Sequence, residues 1–231
     1  MSKYSFHKKE LESQGFSVTE RVFCEDEIQA LIHSIENNKK DFSIRQLVNQ
    51  IPEVKQIIFK NKCFRNLFYS VCDHNYFLSK AIYFNKPSNS NWFVGYHQDM
   101  SISVQEKIET TGYSNWTLKN GQLGVIPPKS ILESIVTFRI HLDDADETNG
   151  ALKVIENSHD LGIIRIDQNF DKSKIGVETT CCAKKGQVML MKPLLLHASD
   201  KSVSESDRRV IHLEFCNQEV PMGWLEKKKI S

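Results

Sequence analysis

Residues 96–99 read Tyr96-His97-Gln98-Asp99, an imidazole and a carboxylate two positions apart. On a β-strand, side chains two apart project to one face, so His97 and Asp99 can grip one ion together. A third ligand from far along the chain would complete a two-histidine, one-carboxylate facial triad, whose open positions suit Fe(II) and an oxygen-derived substrate. His197, in the run Leu194-Leu195-Leu196-His197-Ala198-Ser199, is the candidate. An imidazole ending such an apolar run has a reason to be there if it points into a cavity and finds a partner.

Spacing alone does not single out His97. Eight histidines and 29 acids in 231 residues give roughly one His-x-Asp/Glu match by chance. The chain has three, the others being His141-Leu142-Asp143 and His212-Leu213-Glu214, and each also reads as an ordinary hydrogen-bonded strand pair. What favours His97 is its setting, after an aromatic strand, 100 residues before His197 and ahead of a long polar connection. A second constellation lies in residues 207–215, where Arg208, Val210, His212 and Glu214 share one strand face and Ile211, Leu213 and Phe215 the other. A forked, permanently charged guanidinium such as Arg208 suits one end of a dicarboxylate whose other end chelates a metal. Taken alone, Arg208 and Arg209 read as surface charge at a strand start.

The elements that must position these residues divide the chain in two. In the first third, Ile28, Leu31, Ile32 and Ile35 recur at helical spacing behind Glu25, Asp26 and Glu27, whose charge suits a helix N-terminus. Two further helical patterns follow, one over 44–51 that must end near Pro52 and one over 54–72. After Leu78 the pattern changes to short β-branched and aromatic runs between Asn, Ser, Gly, Pro and Asp clusters. Strands are expected at 80–85, 93–97, 101–104, 135–142, 152–155, 176–181, 187–191 and 209–215. Helices first and strands later predict an α+β fold with an antiparallel barrel or sandwich. The polar stretch 104–127, with Tyr113 and Trp116, has the length of an active-site lid.

Composition narrows the function. At 40% hydrophobic and 26% charged, the chain is an ordinary globular protein, expected to form one domain over 1–231. Thirty basic residues against 29 acidic ones leave a formal charge of +1, which provides no field for nucleic acid or an anionic membrane. No apolar run approaches the roughly 20 residues of a membrane helix, and six cysteines without metal or disulfide spacing fit a reducing cytoplasm. Cys181 and Cys182, adjacent on a strand, must face opposite ways and carry no assigned function. Oligomeric state is not written in such patterns.

Together, His97-x-Asp99, His197 and Arg208 eleven residues beyond it resemble the phytanoyl-CoA dioxygenase family of Fe(II)- and 2-oxoglutarate-dependent oxygenases. The resemblance extends in order through Asn85-Lys86-Pro87, Pro127-Pro128, Arg139-Ile140-His141-Leu142-Asp143-Asp144, Asn149-Gly150-Ala151-Leu152, Ser158-His159 and Pro193-Leu194-Leu195-Leu196-His197-Ala198-Ser199. It implies a double-stranded β-helix (a jelly-roll, cupin-like barrel) over 79–220, with the helices of 1–78 packed on it. It further implies His97, Asp99 and His197 as iron ligands, Arg208 gripping the distal carboxylate of 2-oxoglutarate, and Ser199 assisting. Gln98 and Arg139 match positions lining the cosubstrate pocket, while His141 and Asp143 fall where the family has no iron ligand. The implied reaction consumes O2 and 2-oxoglutarate, releases succinate and CO2, and hydroxylates a small molecule. An acidic residue at 99, rather than the small one of halogenating members, points to a hydroxylase.

Two departures bear on substrate. Asn157-Ser158-His159 replaces a glycine-containing turn, and Ile126 precedes Pro127-Pro128 in a variable lid. That lid, with Tyr113 and Trp116, is expected to select the C–H bond presented, the alternative being that these aromatics are ordinary packing. No concentrated basic cluster of the kind coenzyme A phosphates need is visible in the sequence, with Lys119, Lys129 and the 172–174 region left as the candidate phosphate contacts, so a free small molecule and a metabolite carried on another group both stay open. Two rivals remain: a zinc hydrolase on the same triad, which would leave Arg208 without a role, and a 2-oxoglutarate or iron sensor without turnover.

Overall fold

The computed structural model describes residues 4–38, 41–86, 93–119 and 121–230. Pro87 of the Asn85-Lys86-Pro87 block lies outside them, as do the extreme ends of the 1–231 span. The elements run α1 (Ser5–Gln14), β1 (Phe16–Val18), α2 (Glu25–Asn38), β2 (Ser43–Arg45), α3 (Leu47–Gln50), α4 (Pro52–Lys60), α5 (Lys62–Val71) and β3 (Phe77–Lys86). There follow β4 (Val94–His97), β5 (Ile102–Val104), β6 (Ser114–Lys119), β7 (Gln122–Ile126), α6 (Lys129–Glu133), β8 (Val136–His141) and β9 (Leu152–Ile155). The last are β10 (Glu178–Cys181), β11 (Val188–Met191), β12 (His197–Ser199) and β13 (Arg208–Cys216). They build an α+β protein with three antiparallel sheets, ordered β1-β11-β8-β13-β3-β2, β10-β9-β12-β4 and β5-β7-β6.

Alternation explains the layering. In β8, Phe138 and Ile140 turn to one side and Arg139 and His141 to the other; in β13, Ile211, Leu213 and Phe215 oppose Arg208, Val210, His212 and Glu214. The apolar side of this large sheet packs on the helices. Phe64, Leu67 and Phe68, on one face of α5, are fully buried, with the Phe68 ring centroid 4.9 Å from Phe215 and Phe64 5.7 Å from Phe138. Each such aromatic contributes about 1.5–3 kcal/mol of burial. The other side meets the four-stranded sheet through Phe16, Leu152, Val154, Met189, Met191 and Leu195, so both faces of the large sheet are covered and its polar side chains are enclosed.

All eight expected strands form, with ends shifted by at most three residues. Five more appear, and they correct the sequence reading. The pattern over 44–51 is the edge strand β2 followed by the single-turn α3, separated by Gln46 at φ 50°. Pro52 ends that segment and opens α4, where its missing N–H costs no bond. The single pattern over 54–72 is two helices broken at Asn61, whose side chain accepts the Phe64 N–H (2.6 Å) and donates to Glu27 (2.8 Å). Helix α1 was not expected from 1–16; its only buried residues are His7 and Leu11, too sparse for a periodic signal. The expected polar connection 104–127 carries the β6–β7 hairpin, completed by β5. The Asn120-Gly121 dipeptide in the sequence signals such a turn, and Gly121 has φ +74°.

Candidate metal centre and cosubstrate pocket

His97 and His197 reach each other by cross-strand pairing. β4 and β12 lie antiparallel with these residues as direct partners, and their ring centroids are 4.2 Å apart. Asp99 arrives differently from the expected strand alternation: β4 ends at His97, and beyond it the Asp99 N–H donates to the Pro193 carbonyl (2.9 Å). Its carboxylate lies 3.9 Å from His97 Nε2 and 3.8 Å from His197 Nε2.

Backbone carbonyls fix which imidazole nitrogens are free. His97 Nδ1 donates to the Gly95 carbonyl (2.9 Å) and His197 Nδ1 to that of Leu195 (2.8 Å), so both Nε2 lone pairs are turned toward Asp99. Burial holds His197 down to about 4 against the pull of Asp99, leaving it neutral at pH 7, the state a metal requires. Burial acts to raise the Asp99 carboxyl, but its interactions with His197, His212, His97 and Lys80 outweigh it and keep the group well below the usual carboxylate range. Two imidazole nitrogens and a carboxylate converging on one point are a donor set that fits Fe(II).

The rival pairs separate by geometry. Both Asp143 oxygens accept from Arg209 (2.9 and 2.8 Å), which leaves His141-x-Asp143 no ligand role. His212 and Glu214 do come within 4.8 Å of Asp99 as a second group of metal-type atoms. Cations already occupy it: Lys80 Nζ is 2.8 Å from Glu214 Oε1, and Arg139 Nη1 is 3.1 Å from His212 Nδ1. Because a guanidinium only donates, His212 Nδ1 must accept, and its Nε2–H then donates to Glu214 (3.1 Å). Neither nitrogen is left for an ion.

The triad and Arg208 line one cavity of about 550 Å³ between the sheets. Ser199 is its polar hub. Its hydroxyl donates to the Gly150 carbonyl (2.7 Å), so its lone pairs face Arg208 Nη2 and Lys86 Nζ, each 3.3 Å away. Gly150, at φ +75°, leaves the room for this; a Cβ there would meet Lys86 Nζ at 2.8 Å. Lys86 also donates to the Asp200 carbonyl. Burial lowers Arg208 to about 10, with Arg139 adding to it, and lowers Lys86 to about 8, with Arg208 adding to it. Arg208, Lys86 and Arg139 are all buried and form no ion pair among the described residues, and Nε of both arginines has no hydrogen-bond partner.

His97, Gln98, Asp99, Arg139, His197, Ser199 and Arg208 all border this cavity, whereas Tyr113 and Trp116 do not, and the role of Gln98 differs from the expected one. The Gln98 amide is committed to backbone, donating to the Gly162 and Leu194 carbonyls (2.7 and 2.6 Å) and accepting the Ile164 N–H (2.8 Å); it clamps the 162–164 loop beside the metal ligands. Tyr113 and Trp116 pack against the apolar cluster that contains Trp224 and are not among the residues lining the cavity. The hairpin instead presents Asn115, Thr117, Lys119, Gln122 and Ile126. The Asn157-Ser158-His159 departure is also accounted for. Asn157 takes φ +62°, a conformation glycine favours, and Ser158 Oγ accepts the Leu196 N–H (2.8 Å) next to His197. Lys80, Lys86 and Arg45, also on the wall, were not found from sequence, since each is a lone cation in its own segment.

A sequence profile of the phytanoyl-CoA dioxygenase family matches residues 11–210. The chain belongs to that family, and with it to the non-haem oxygenases that use Fe(II), 2-oxoglutarate and O2. By sequence alone, no curated protein matches. Among solved structures it is similar to EctD from S. alaskensis, crystallised with 2-oxoglutarate and 5-hydroxyectoine (TM-score 0.71, 15% identity, covering 96% of this chain and 82% of that one). It is also similar to SnoK, the non-haem alpha-ketoglutarate-dependent carbocyclase of nogalamycin biosynthesis (0.68, 13%, 98% and 94%). HygX from Streptomyces hygroscopicus, crystallised with iron bound, is a third (0.63, 14%, 97% and 97%). Among the described residues, no helix is long and apolar enough to cross a membrane.

Proposed function

We propose that this chain hydroxylates a small molecule, with His97, Asp99 and His197 holding Fe(II) and with Arg208, Lys86 and Ser199 receiving the distal carboxylate of 2-oxoglutarate. The six-stranded and four-stranded sheets would then be the two faces of a double-stranded β-helix, within one domain whose N-terminal helices back the larger face. The observation that carries the reading is the buried, unpaired Arg208 on the wall of the same cavity as the triad. An uncompensated buried cation costs several kcal/mol, which a carboxylate of 2-oxoglutarate held by Arg208 would offset. A zinc hydrolase gives Arg208 no such role.

When bound, Fe(II) with 2-oxoglutarate supplies the oxidising power, taken from O2, with succinate and CO2 as by-products. The chain's own part is positioning. The two Nδ1–H···O=C bonds hold the imidazoles edge-on to one point, and Asp99 stays ionised. Arg208, steadied by Ser199, orients the cosubstrate by a forked contact. Gln98 closes the 162–164 loop over the ligands and so limits water.

Titration of the apo-protein with Fe(II) and 2-oxoglutarate without oxygen tests this directly. A visible metal-to-ligand charge-transfer band should appear only with both components, and Asp99→Ala should abolish both band and succinate release. A folded wild-type protein with no band, or Asp99→Ala with undiminished turnover, refutes the assignment. Tight 2-oxoglutarate binding with no succinate formed under oxygen would identify a sensor instead.

A further inference from the structure

The cavity wall carries more positive charge than the cosubstrate can use. Six cationic side chains and two carboxylates line it. Fe(II) and 2-oxoglutarate bring equal and opposite charge, so loading them leaves this surplus unchanged. Four of the cations have local partners or a place beside the cosubstrate: Lys80 with Glu214, Arg139 with His212, and Arg208 and Lys86 at Ser199. Arg45 and Lys119 remain. Neither forms an ion pair among the described residues, and residues 39–40, 87–92 and 120 contain no Asp or Glu.

Topology places Arg45 at a useful distance. It pairs with Ile82, Ile82 with His212, and His212 with Arg139, one continuous row across the large sheet. At about 4.8 Å per strand, the Arg45 backbone stands about 10 Å from that of His212, which borders the metal side at Asp99. Lys119 comes from another sheet, at the end of β6, on the same alternating face as Thr117. The lining also offers an acceptor without a donor: Gln122 Oε1 is buried and has no partner, and Gln122 borders the cavity. An orphaned buried acceptor is satisfied when a ligand brings an O–H or N–H to it.

We infer that the substrate is a small polar anion, a hydroxyl- or amino-bearing molecule with a phosphate, sulfate or carboxylate group held by Arg45 and Lys119, its reacting carbon turned toward the triad. This rests on the oxygenase reading above and names the substrate class for it. Unpaired cations at a cavity mouth raise the local concentration of anions, and the Arg45 fork adds directional contacts.

The test is a calorimetric titration with sulfate of the protein loaded with Fe(II) and saturating 2-oxoglutarate, without oxygen and at low ionic strength. One saturable site per chain is expected, weakened at least tenfold in Arg45→Gln/Lys119→Gln while the charge-transfer band of that variant stays unchanged. Absence of saturable binding, or equal binding by wild type and the double variant, overturns the inference. A wild-type band that never forms breaks the cosubstrate reading instead, so the two failures are separable.

Discussion

The large sheet and the β5-β7-β6 sheet both border the cavity, yet they are built in contrasting ways. β8 and β13 are buried on both faces, with aromatic helices behind and the second sheet in front. Among their polar side chains, Arg139, His212 and Glu214 find partners within the protein, whereas Arg208 has been taken out of water at a cost that a bound partner would offset. β6 is mostly exposed, with Leu118 at 72%, and its cation Lys119 keeps its hydration. A buried cation without a partner is expensive enough to mark a ligand that is always needed, which in the proposed function is the cosubstrate. An exposed one costs little to keep or change, and suits the part of the site that differs with substrate.

The sharpest way to break this contrast is at Arg208. Arg208→Ala should raise the 2-oxoglutarate requirement by about 2–5 kcal/mol, roughly 30-fold or more, read from succinate release against 2-oxoglutarate concentration. Arg209→Ala should leave it unchanged, because that guanidinium is bound to Asp143 and Glu36 on the helix-facing side. If the two variants exchange behaviour, the β13 register is off by one residue and with it every inward assignment on that strand.

Lys86 should matter less, since it shares the carboxylate with Arg208. Lys86→Met is expected to weaken 2-oxoglutarate by about 1.5 kcal/mol, roughly tenfold. Burial lowers the wild-type ammonium to about 8, so its charge is present below that pH and lost above it. Cosubstrate affinity should therefore fall as pH rises through about 8 in wild type and stay flat through that range in Lys86→Met, measured by titrating the charge-transfer band. A wild-type affinity constant from pH 7 to 9.5 would remove Lys86 from the carboxylate.

What the sequence revealed and what it concealed follow the same division. His97, Asp99, His197 and Arg208 were legible through the ordered blocks that resemble the family, since spacing left rival His-x-Asp/Glu pairs open and Arg208 alone read as surface charge; all four border the cavity. Arg45, Lys80 and Lys86 were not, and Lys119 was legible only as one of several scattered candidate phosphate contacts. They lie on β2, β3 and β6, no two in one local cluster, and only the sheet pairing gathers them. The expectation that no basic patch exists was a statement about neighbours in sequence, whereas a cavity depends on neighbours in space. Gln98 was found by position but not by role, since nothing local announces that its amide will close three backbone bonds to segments 64 and 96 residues away.

Trp116 gives the smallest effect and the closest test of the hairpin's two faces. Sequence reading made it a lid residue selecting substrate, but its ring packs with the Trp224 cluster, with Lys107 Nζ 5.7 Å from the ring centroid. Alternation along β6 turns Thr117 and Lys119 toward the cavity and leaves Trp116 on the far side. Trp116→Phe should then lower stability by about 1 kcal/mol through lost packing, seen as a shifted denaturant midpoint. The 2-oxoglutarate requirement and substrate-free succinate release should not change. A kinetic change without loss of stability would mean that the hairpin presents its aromatic face to the cavity, and the contrast between a fixed wall and a polar, variable one would have to be redrawn.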